Sequence, residues 1–196
     1  KDGADVNITE TGNVIEFTEV GVYNVSVIAK SADGCESDPV SASATIFDKP
    51  VATLTASESV CDGGTVTFTA GGGNEYSWTA TKDGAAITVS DNDNSIEFTE
   101  VGDYEVSVIA VIDNDGTSCE SDPVTASASI FEKPAVTMTA PADVCFGNKL
   151  TFTTDLIDGA TYEWTATKDG ADITVSDNDN SIEFNEVGDY EVSVIA

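Results

Sequence analysis

An internal repeat constrains this chain more than any other feature of its sequence. Residues 78–110 recur at 164–196 with only two substitutions, which sets a period of 86 residues. A more diverged copy begins at Lys1 and aligns with residues 82–110. Periods longer than about 20 residues are typical of arrays in which one supersecondary unit is copied along the chain. The sequence therefore predicts a series of similar modules.

The boundaries between modules are predicted at two Lys-Pro steps, in F-D-K-P at 47–50 and F-E-K-P at 131–134. Proline has no backbone N–H and cannot continue a central strand ladder. We therefore expect three segments. They are the C-terminal part of one module at 1–48, a complete module at 49–132 and the N-terminal part of a following module at 133–196.

Apolar and polar residues alternate along the predicted complete module, which is the pattern of strands with one buried face. The alternating segments are V-A-T-L-T-A-S at 51–57, Val66/Phe68/Ala70, Tyr76/Trp78/Ala80, Ile87/Val89, Ile96/Phe98, Tyr104/Val106/Val108 and Val124/Ala126/Ala128/Ile130. Clusters of Gly, Asn and Asp separate them, and no segment has a helical period. Short strands with regular turn signals indicate a two-sheet sandwich. The predicted fold is all-β, with tandem immunoglobulin-like β-sandwich modules of about seven strands.

Five aromatic residues are predicted to belong to the module cores. Trp78 and its copy Trp164 lie on the third predicted strand, where such sandwiches bury a large aromatic side chain. Tyr23, Tyr104 and Tyr190 each follow a glycine two residues earlier, at the start of the sixth strand. A tyrosine corner is expected at that position.

The charge of the chain excludes some partners. It contains 36 Asp and Glu against 7 Lys, with no Arg or His, for a net charge of −29. Nucleic acids and anionic membranes are bound largely through clustered cations, so neither is expected as a partner. No run of 18 apolar residues occurs, and therefore no membrane insertion is predicted in this segment. The 40% of hydrophobic residues still suffices for a core.

The four cysteines recur at fixed places in the modules. Cys61 and Cys145 come before the second strand, and Cys35 and Cys119 follow the sixth. Zinc sites need closely spaced Cys or His ligands, which are not present here. Regular cysteines in an acidic array indicate disulfides formed in an oxidising compartment.

The connectivity of these disulfides is predicted to join neighbouring modules. In a sandwich, Cys61 and Cys119 should lie at opposite ends of a strand of about 8 residues, or roughly 25 Å apart. A disulfide requires Cα atoms within about 7 Å. We therefore expect Cys61 to pair with a late-loop cysteine of the following module and Cys119 with a cysteine of the preceding one.

Acidic loops offer oxygen ligands that suit calcium. Asp113 and Asp115 lie in D-N-D-G, and Asp91 and Asp93 in D-N-D-N. These residues are the candidate metal ligands, although neither loop matches a complete calcium-binding loop. The alternative, which the pattern favours, is a solvated turn using Asp and Asn for left-handed backbone. No cofactor is required, and calcium is the one candidate ion.

Catalysis is not predicted. Without histidine there is no Ser-His or Cys-His pair, and the sequence contains no glycine-rich phosphate loop. Lys82 and Lys168, in T-K-D-G, are expected to be exposed turn lysines.

Four motifs resemble the immunoglobulin-like and PKD-like repeats of large cell-surface proteins of Bacteroidota, including gliding-motility adhesins. They are V-C-x-G-x-x-V/L-T-F-T at 60–69 and 144–153, Tyr-x-Trp at 76–78 and 162–164, V-G-x-Y-x-V-S-V at 20–27, 101–108 and 187–194, and a late C-E-S-D-P-V at 35–40 and 119–124. The chain lacks a W-D-F-G-D run after Trp78, which favours the immunoglobulin-like side of the resemblance. The resemblance implies export to the cell surface.

The functional hypothesis is a structural repeat of a long extracellular stalk, filament or adhesin. Its partners would be neighbouring modules of the same chain, with self-association into fibres or a surface or glycan ligand as further options. The alternative is a calcium-dependent adhesive or glycan-binding module of a secreted protein. Both hypotheses place the chain outside the cell.

Overall fold

The chain folds entirely into β-structure over the residues that can be described. The computed structural model describes residues 1–6, 8, 13–89, 93–175 and 179–196. These residues form two compact units, Lys1–Phe131 (unit 1) and Glu132–Ala196 (unit 2). Every regular element among them is a strand, and none is a helix long and apolar enough to cross a membrane.

Unit 1 contains eleven strands in its described residues. They are β1 (Gly21–Val27), β2 (Val40–Ile46), β3 (Thr53–Ala56), β4 (Val60–Cys61), β5 (Val66–Gly71), β6 (Glu75–Lys82), β7 (Ala85–Ile87), β8 (Ser95–Phe98), β9 (Gly102–Asn114), β10 (Thr117–Glu120) and β11 (Val124–Phe131). Strands β1 and β2 pair antiparallel as a separate two-stranded sheet. The other nine form a sandwich.

The sandwich has the strand order of an immunoglobulin-like domain. One sheet has the order β3-β5-β8, and the larger has the order β4-β11-β9-β6-β7 with β10 added beside β9. All pairs are antiparallel except β4 with β11, which are parallel. In immunoglobulin nomenclature the sheets correspond to ABE and A′GFCC′. The predicted all-β immunoglobulin-like fold is confirmed.

The core follows from side-chain alternation along each strand. On β5, Val66 and Phe68 are completely buried and Ala70 is 5% exposed, whereas Thr69 points to solvent. Burying a Val or Phe side chain contributes about 1.5–3 kcal/mol relative to leaving it exposed. One hydrophobic cluster joins the two sheets and includes side chains from β5, β6, β8, β9 and β11.

Two short strands lie outside the seven segments that alternation predicted. The residues V-I-D-N-D-G-T-S form a hairpin, because β9 continues to Asn114 and pairs with β10, which carries Cys119. Asp115 (φ 50°) and Gly116 (φ 92°) supply the two left-handed residues that a tight hairpin turn requires. Cys61 ends the second of these, β4, and lies opposite Phe131 of β11.

Unit 2 repeats the front part of this plan. Its strands are β12 (Met138–Thr139), β13 (Leu150–Thr154), β14 (Glu163–Lys168), β15 (Ala171–Ile173), β16 (Ser181–Phe184) and β17 (Tyr190–Ile195). They form two sheets, β12-β13-β16 and β15-β14-β17. Phe152, Tyr162, Trp164 and Ile182 form the buried core of the unit.

Candidate functional site

The most regular polar arrangement in the molecule is a set of contacts at the turn between β6 and β7, which we call the latch. In the sandwich of unit 1 it consists of Lys82, Asp83, Glu100, Gly102 and Tyr104. The Lys82 ammonium donates to Glu100 (2.8 Å), and the Asp103 amide donates to the Asp83 carboxylate (2.9 Å). The Tyr104 hydroxyl donates to the Glu100 carbonyl (2.8 Å), which makes a tyrosine corner. Together these contacts tie the turn to the start of β9.

The latch occurs three times with nearly the same geometry. The lysine-to-glutamate distances are 2.9 Å for Lys1–Glu19 and 2.6 Å for Lys168–Glu186. The other donor-acceptor pairs recur at 2.7–3.1 Å, namely Val22 with Asp2, Tyr23 with Glu19, Asp189 with Asp169 and Tyr190 with Glu186. In each copy the tyrosine also stacks on a phenylalanine, with centroids 4.1–4.4 Å apart.

Lys82 and Lys168, expected to be exposed turn lysines, lie at the ends of β6 and β14 and are partly exposed. Each has only 24% of its side chain exposed and is engaged by a glutamate 18 residues further on. The sequence contained a signal for this pair, because K-D-G precedes E-V-G-x-Y at the same spacing in all three copies. Alternation along single strands does not reveal it, since the contact joins two separate elements.

The ion pair shifts the pKa of both of its members. The hydrogen bond from Lys82 lowers the pKa of Glu100 below its ordinary value, and the same bond raises the pKa of Lys82. Burial raises the pKa of Tyr104. The pairs Lys1–Glu19 and Lys168–Glu186 have shifts in the same directions for the same cause.

The acidic loops proposed as calcium ligands have structural contacts. The Asp113 carboxylate accepts a 2.7 Å hydrogen bond from the Gly116 amide and thereby closes the β9–β10 turn. Asp115 has left-handed backbone in that turn. Asp91 lies outside the described residues. Among the residues that are described, no three or more His, Cys, Asp or Glu side chains are grouped so as to hold a metal ion.

The D-N-D-N loop uses its backbone to hold the core tryptophan. The Trp78 indole donates to the Asp93 carbonyl (3.0 Å), and its copy Trp164 donates to the Asp179 carbonyl (2.8 Å). The two indoles are 8% and 5% exposed. A buried indole N–H needs an acceptor, and this loop supplies one. Glycan binding through exposed tryptophan faces therefore finds no support in these two residues.

The core tyrosines differ between the copies. Tyr23 and Tyr104 are 4% and 3% exposed, whereas Tyr190 is half-buried. The difference has a local cause, because Tyr104 lies opposite Ala128 of β11, and no described strand of unit 2 occupies the corresponding edge.

All four cysteines have free thiols in the structure. Cys35, Cys61 and Cys145 are exposed and Cys119 is half-buried. Cys61 pairs with the end of β11 that faces Gly102, whereas Cys119 lies opposite Ile112 near the other end of β9. Ten residues of strand separate these ends, or roughly 33 Å. A Cys61–Cys119 bond is therefore excluded, and bridges between neighbouring modules remain a prediction.

Several solved multi-domain structures are similar to the chain. The N-terminal eight Ig domains of Down Syndrome Cell Adhesion Molecule isoform 1.30.30 match 93% of this chain, at 16% identity and a TM-score of 0.46, and the chain spans only 30% of that structure. A two-domain fibronectin type III segment of chicken tenascin matches 75% of this chain and 90% of its own length, at 14% identity and a TM-score of 0.33. The FN1–FN3 domains of chicken CNTN1 match 88% of this chain and 68% of their own length, at 14% identity and a TM-score of 0.32. No protein-family model and no curated protein sequence matches the chain. These likenesses concern the fold alone.

Proposed function

We propose that this chain is a structural repeat of a long extracellular or cell-surface stalk, filament or adhesin, and that it is not an enzyme. The repetition of one scaffold contact, the latch, in three successive copies supports this proposal. A ligand site that served one partner would not need the same framework contacts in each copy. The resemblance of four sequence motifs to repeats of Bacteroidota surface proteins gives the proposed location.

The observation that carries the proposal is the parallel pairing of β4 with β11. Val60 lies opposite Ile130 and Cys61 opposite Phe131, and the Asp62 amide donates to the Phe131 carbonyl (2.7 Å). Strand β4 belongs to the beginning of the sandwich and β11 to its end. When the two ends are pulled apart, parallel strands slide along each other, so that their hydrogen bonds are strained together. An antiparallel pair loaded at one end would open one bond at a time.

Single-molecule force spectroscopy tests this role directly. Pulling the chain by its ends should unfold the sandwich of 53–131 in one step, with a gain in length on the order of 25 nm. Asp62→Pro removes the amide that donates to Phe131, and Asp62→Ala is the matched control that retains it. We expect a lower unfolding force for Asp62→Pro than for Asp62→Ala. Equal forces in the two variants would contradict the proposed role of the β4–β11 pair.

Disulfides between neighbouring modules form the second part of the proposal. The exposed positions of Cys61 and Cys145, each at the end of its module that contains the latch, suit bonds to another module. Non-reducing peptide mapping of the native protein should find Cys61 and Cys119 in cross-linked peptides, with neither bonded to the other. Free thiols at both residues in material from an oxidising compartment would refute this part alone.

A further inference from the structure

Seven aspartates of the chain are each followed directly by glycine. They are Asp2, Asp33, Asp62, Asp83, Asp115, Asp158 and Asp169. At an Asp-Gly step the glycine nitrogen can attack the Cγ atom of the aspartate, because glycine has no Cβ to obstruct the approach. In a folded chain this attack requires that the carboxyl group and the glycine amide are both free to meet.

The reaction at such a step needs no reagent other than water. The glycine nitrogen forms a bond to Cγ, the amide proton leaves with the carboxyl O–H group as water, and a five-membered succinimide ring remains. Water then adds to one of the two ring carbonyls. Addition at the main-chain carbonyl breaks the bond from that carbon to nitrogen and leaves isoaspartate. The backbone then runs through Cγ and is longer by one CH₂ group, while the mass of the chain is unchanged.

The latch holds three of these aspartates away from their glycines. The Asp83 carboxylate accepts a hydrogen bond from the Asp103 amide (2.9 Å), and the Asp83 amide donates to the Asp103 carbonyl (2.8 Å). The same carboxylate contact holds Asp2 and Asp169, at 2.8 Å in each case. The carboxyl group must leave this position before Cγ can reach the glycine nitrogen, and hydrogen bonds to a charged group are the strong ones. The fold therefore protects these three steps.

At the steps that end in Gly34 and Gly116 the glycine amide is engaged instead. The Gly116 amide donates to the Asp113 carboxylate (2.7 Å), and the Gly34 amide donates to the Ser31 carbonyl (3.0 Å). A nitrogen that donates in such a turn is directed at its acceptor and not at the preceding carboxyl group. Both steps are therefore hindered through the other reactant.

Two steps, Asp62-Gly63 and Asp158-Gly159, lack both restraints. Each occupies the middle of a turn that is closed by a hydrogen bond between its first and last residues, at 2.9 Å in 61–64 and 3.1 Å in 157–160. The glycine is the third residue, with a left-handed φ of 86° or 75°, so its amide is not the donor that closes the turn. Over the described residues, no hydrogen bond involves these two carboxylates or these two glycine amides. Both steps are exposed to solvent.

We propose that Asp62 and Asp158 are sites of spontaneous isomerisation to isoaspartate in the folded chain, and that the latch protects its three aspartates from the same reaction. The substrate is the backbone of the chain itself. Each product is also a methyl acceptor, because isoaspartate is the group that protein isoaspartyl methyltransferases recognise. The inference does not depend on the proposed mechanical role, since it concerns only the chemistry of two peptide steps.

Isomerisation at Asp62 would fall beside the β4–β11 pair. The Asp62 amide donates to the Phe131 carbonyl (2.7 Å), and the turn at 61–64 follows directly. One additional CH₂ group in this turn separates the two residues whose hydrogen bond closes it, so the turn and the end of β4 should loosen. Unit 2 lacks this site, because Phe146 stands at the equivalent position.

The test is ageing of the complete chain for several weeks at body temperature and slightly acidic pH, followed by mapping of isoaspartate. Chymotrypsin cleaves after aromatic residues, which puts each of the seven Asp-Gly steps in a peptide of its own. A protein isoaspartyl methyltransferase with a tritiated methyl donor then labels only the isomerised peptides, and unaged chain gives the background. The peptides of Asp62 and Asp158 should contain at least about tenfold more label than those of Asp83 and Asp169, which must first lose a hydrogen bond to a charged group.

Ageing in guanidinium chloride separates the effect of the fold from that of neighbouring residues. Without the hydrogen bonds of the latch, Asp83 and Asp169 should be labelled to about the same extent as Asp62.

Charge-retaining variants provide the second arm. Asp62→Glu and Asp158→Glu should each abolish the label in its own peptide alone, because glutamate would have to form a less favourable six-membered ring. Both residues are exposed, so both variants should fold, which near-UV circular dichroism can verify. Amide hydrogen exchange at Gly64 should become faster in the aged wild type and stay unchanged in aged Asp62→Glu.

Three outcomes would overturn the proposal. The first is label spread evenly over the seven peptides of the folded chain, since the fold would then protect none of them. The second is no label above background in the peptides of Asp62 and Asp158. The third is an excess at these two residues that persists in guanidinium chloride, because neighbouring residues and not the structure would then select the sites.

Discussion

The side chain of Lys82 lies directly over Gly102. A Cβ atom added to Gly102 would come within 2.7 Å of Lys82 Cε, and the same relation holds between Lys168 and Gly188. Gly102 also has a φ of 152°, which L-residues rarely adopt. The glycine of E-V-G-x-Y is therefore required both by its backbone and by the lysine that covers it.

Gly102→Ala should destabilise unit 1. The substitution combines an unfavourable φ with a clash against Lys82, and residues held in such backbone regions cost on the order of 1–3 kcal/mol. Urea denaturation followed by fluorescence should show this loss of stability as a lower urea concentration at the unfolding midpoint. The double variant Gly102→Ala with Lys82→Ala should regain the part of the stability that is lost through the clash with Lys82. No recovery would mean that the backbone alone explains the requirement for glycine.

Replacing Glu100 by Gln should remove a pH-dependent contribution to stability. The pKa of Glu100 is lowered in the folded chain, so its contribution is present above the unfolded value near 4.5 and is lost as pH falls through the folded value. The raised pKa of Lys82 means that the pair is lost again as pH rises above about 10.5. The melting temperatures of wild type and Glu100→Gln should therefore differ at neutral pH and converge at both extremes.

Glu97→Gln is the matched control for this experiment. It removes the same charge from the neighbouring strand β8, where the carboxylate faces solvent. Its effect on the melting temperature should reflect only the net charge of the chain. If the melting temperature of Glu97→Gln depended on pH in the same way as that of Glu100→Gln, the ion pair would not be the cause of the pH dependence.

Trp78→Phe should lower the stability of unit 1 by about 0.5–1.5 kcal/mol, because it removes the hydrogen bond that the indole N–H donates to the Asp93 carbonyl. Trp164→Phe should do the same to unit 2, because it removes the hydrogen bond from the Trp164 indole to the Asp179 carbonyl. Each variant retains one tryptophan, whose emission reports the unit that was not altered. The unfolding midpoint of that unaltered unit should remain at the wild-type value. Equal shifts of both midpoints would show that the loss is not local to each core.

Monovalent salt should stabilise the chain. At a net charge of −29, carboxylate repulsion opposes folding, and raising NaCl from about 0.01 M to about 0.15 M shortens the Debye length from about 30 Å to about 8 Å. The melting temperature should rise accordingly. Calcium chloride at matched ionic strength should give a similar rise if the acidic loops act as turns. A much larger rise with calcium, abolished in Asp113→Asn, would favour the calcium-dependent alternative.

The sequence predicted the features that are determined within a single strand, namely where the strand lies and which of its side chains are buried. Alternation located the seven main strands of the sandwich, and the positions of Trp78 and Tyr104 follow from the same pattern. Features that depend on two distant segments were missed. The two-residue strand β4 exists only because β11 pairs with it, and the Lys82–Glu100 contact requires the β6–β7 turn to approach the start of β9.

The hairpin of β9 and β10 was missed for a different reason. Its D-N-D-G residues are typical of a loop, but they occupy only the turn, and the flanking residues Val111 and Cys119 continue the ladder. The half-buried state of Tyr190 could not be predicted from its own segment, which is identical to that of Tyr104, because burial there depends on a neighbouring strand.

The way the latch holds its lysines has a consequence for digestion by proteases. Trypsin-like enzymes require an accessible Lys or Arg, and this chain has seven lysines and no arginine. The three lysines of the latch, Lys1, Lys82 and Lys168, have only 24% of their side chains exposed, and the bonds after Lys49 and Lys133 are followed by proline, which such enzymes cleave poorly. Lys30 and Lys149 are the remaining sites, so this stretch of 196 residues offers such enzymes few bonds to cut.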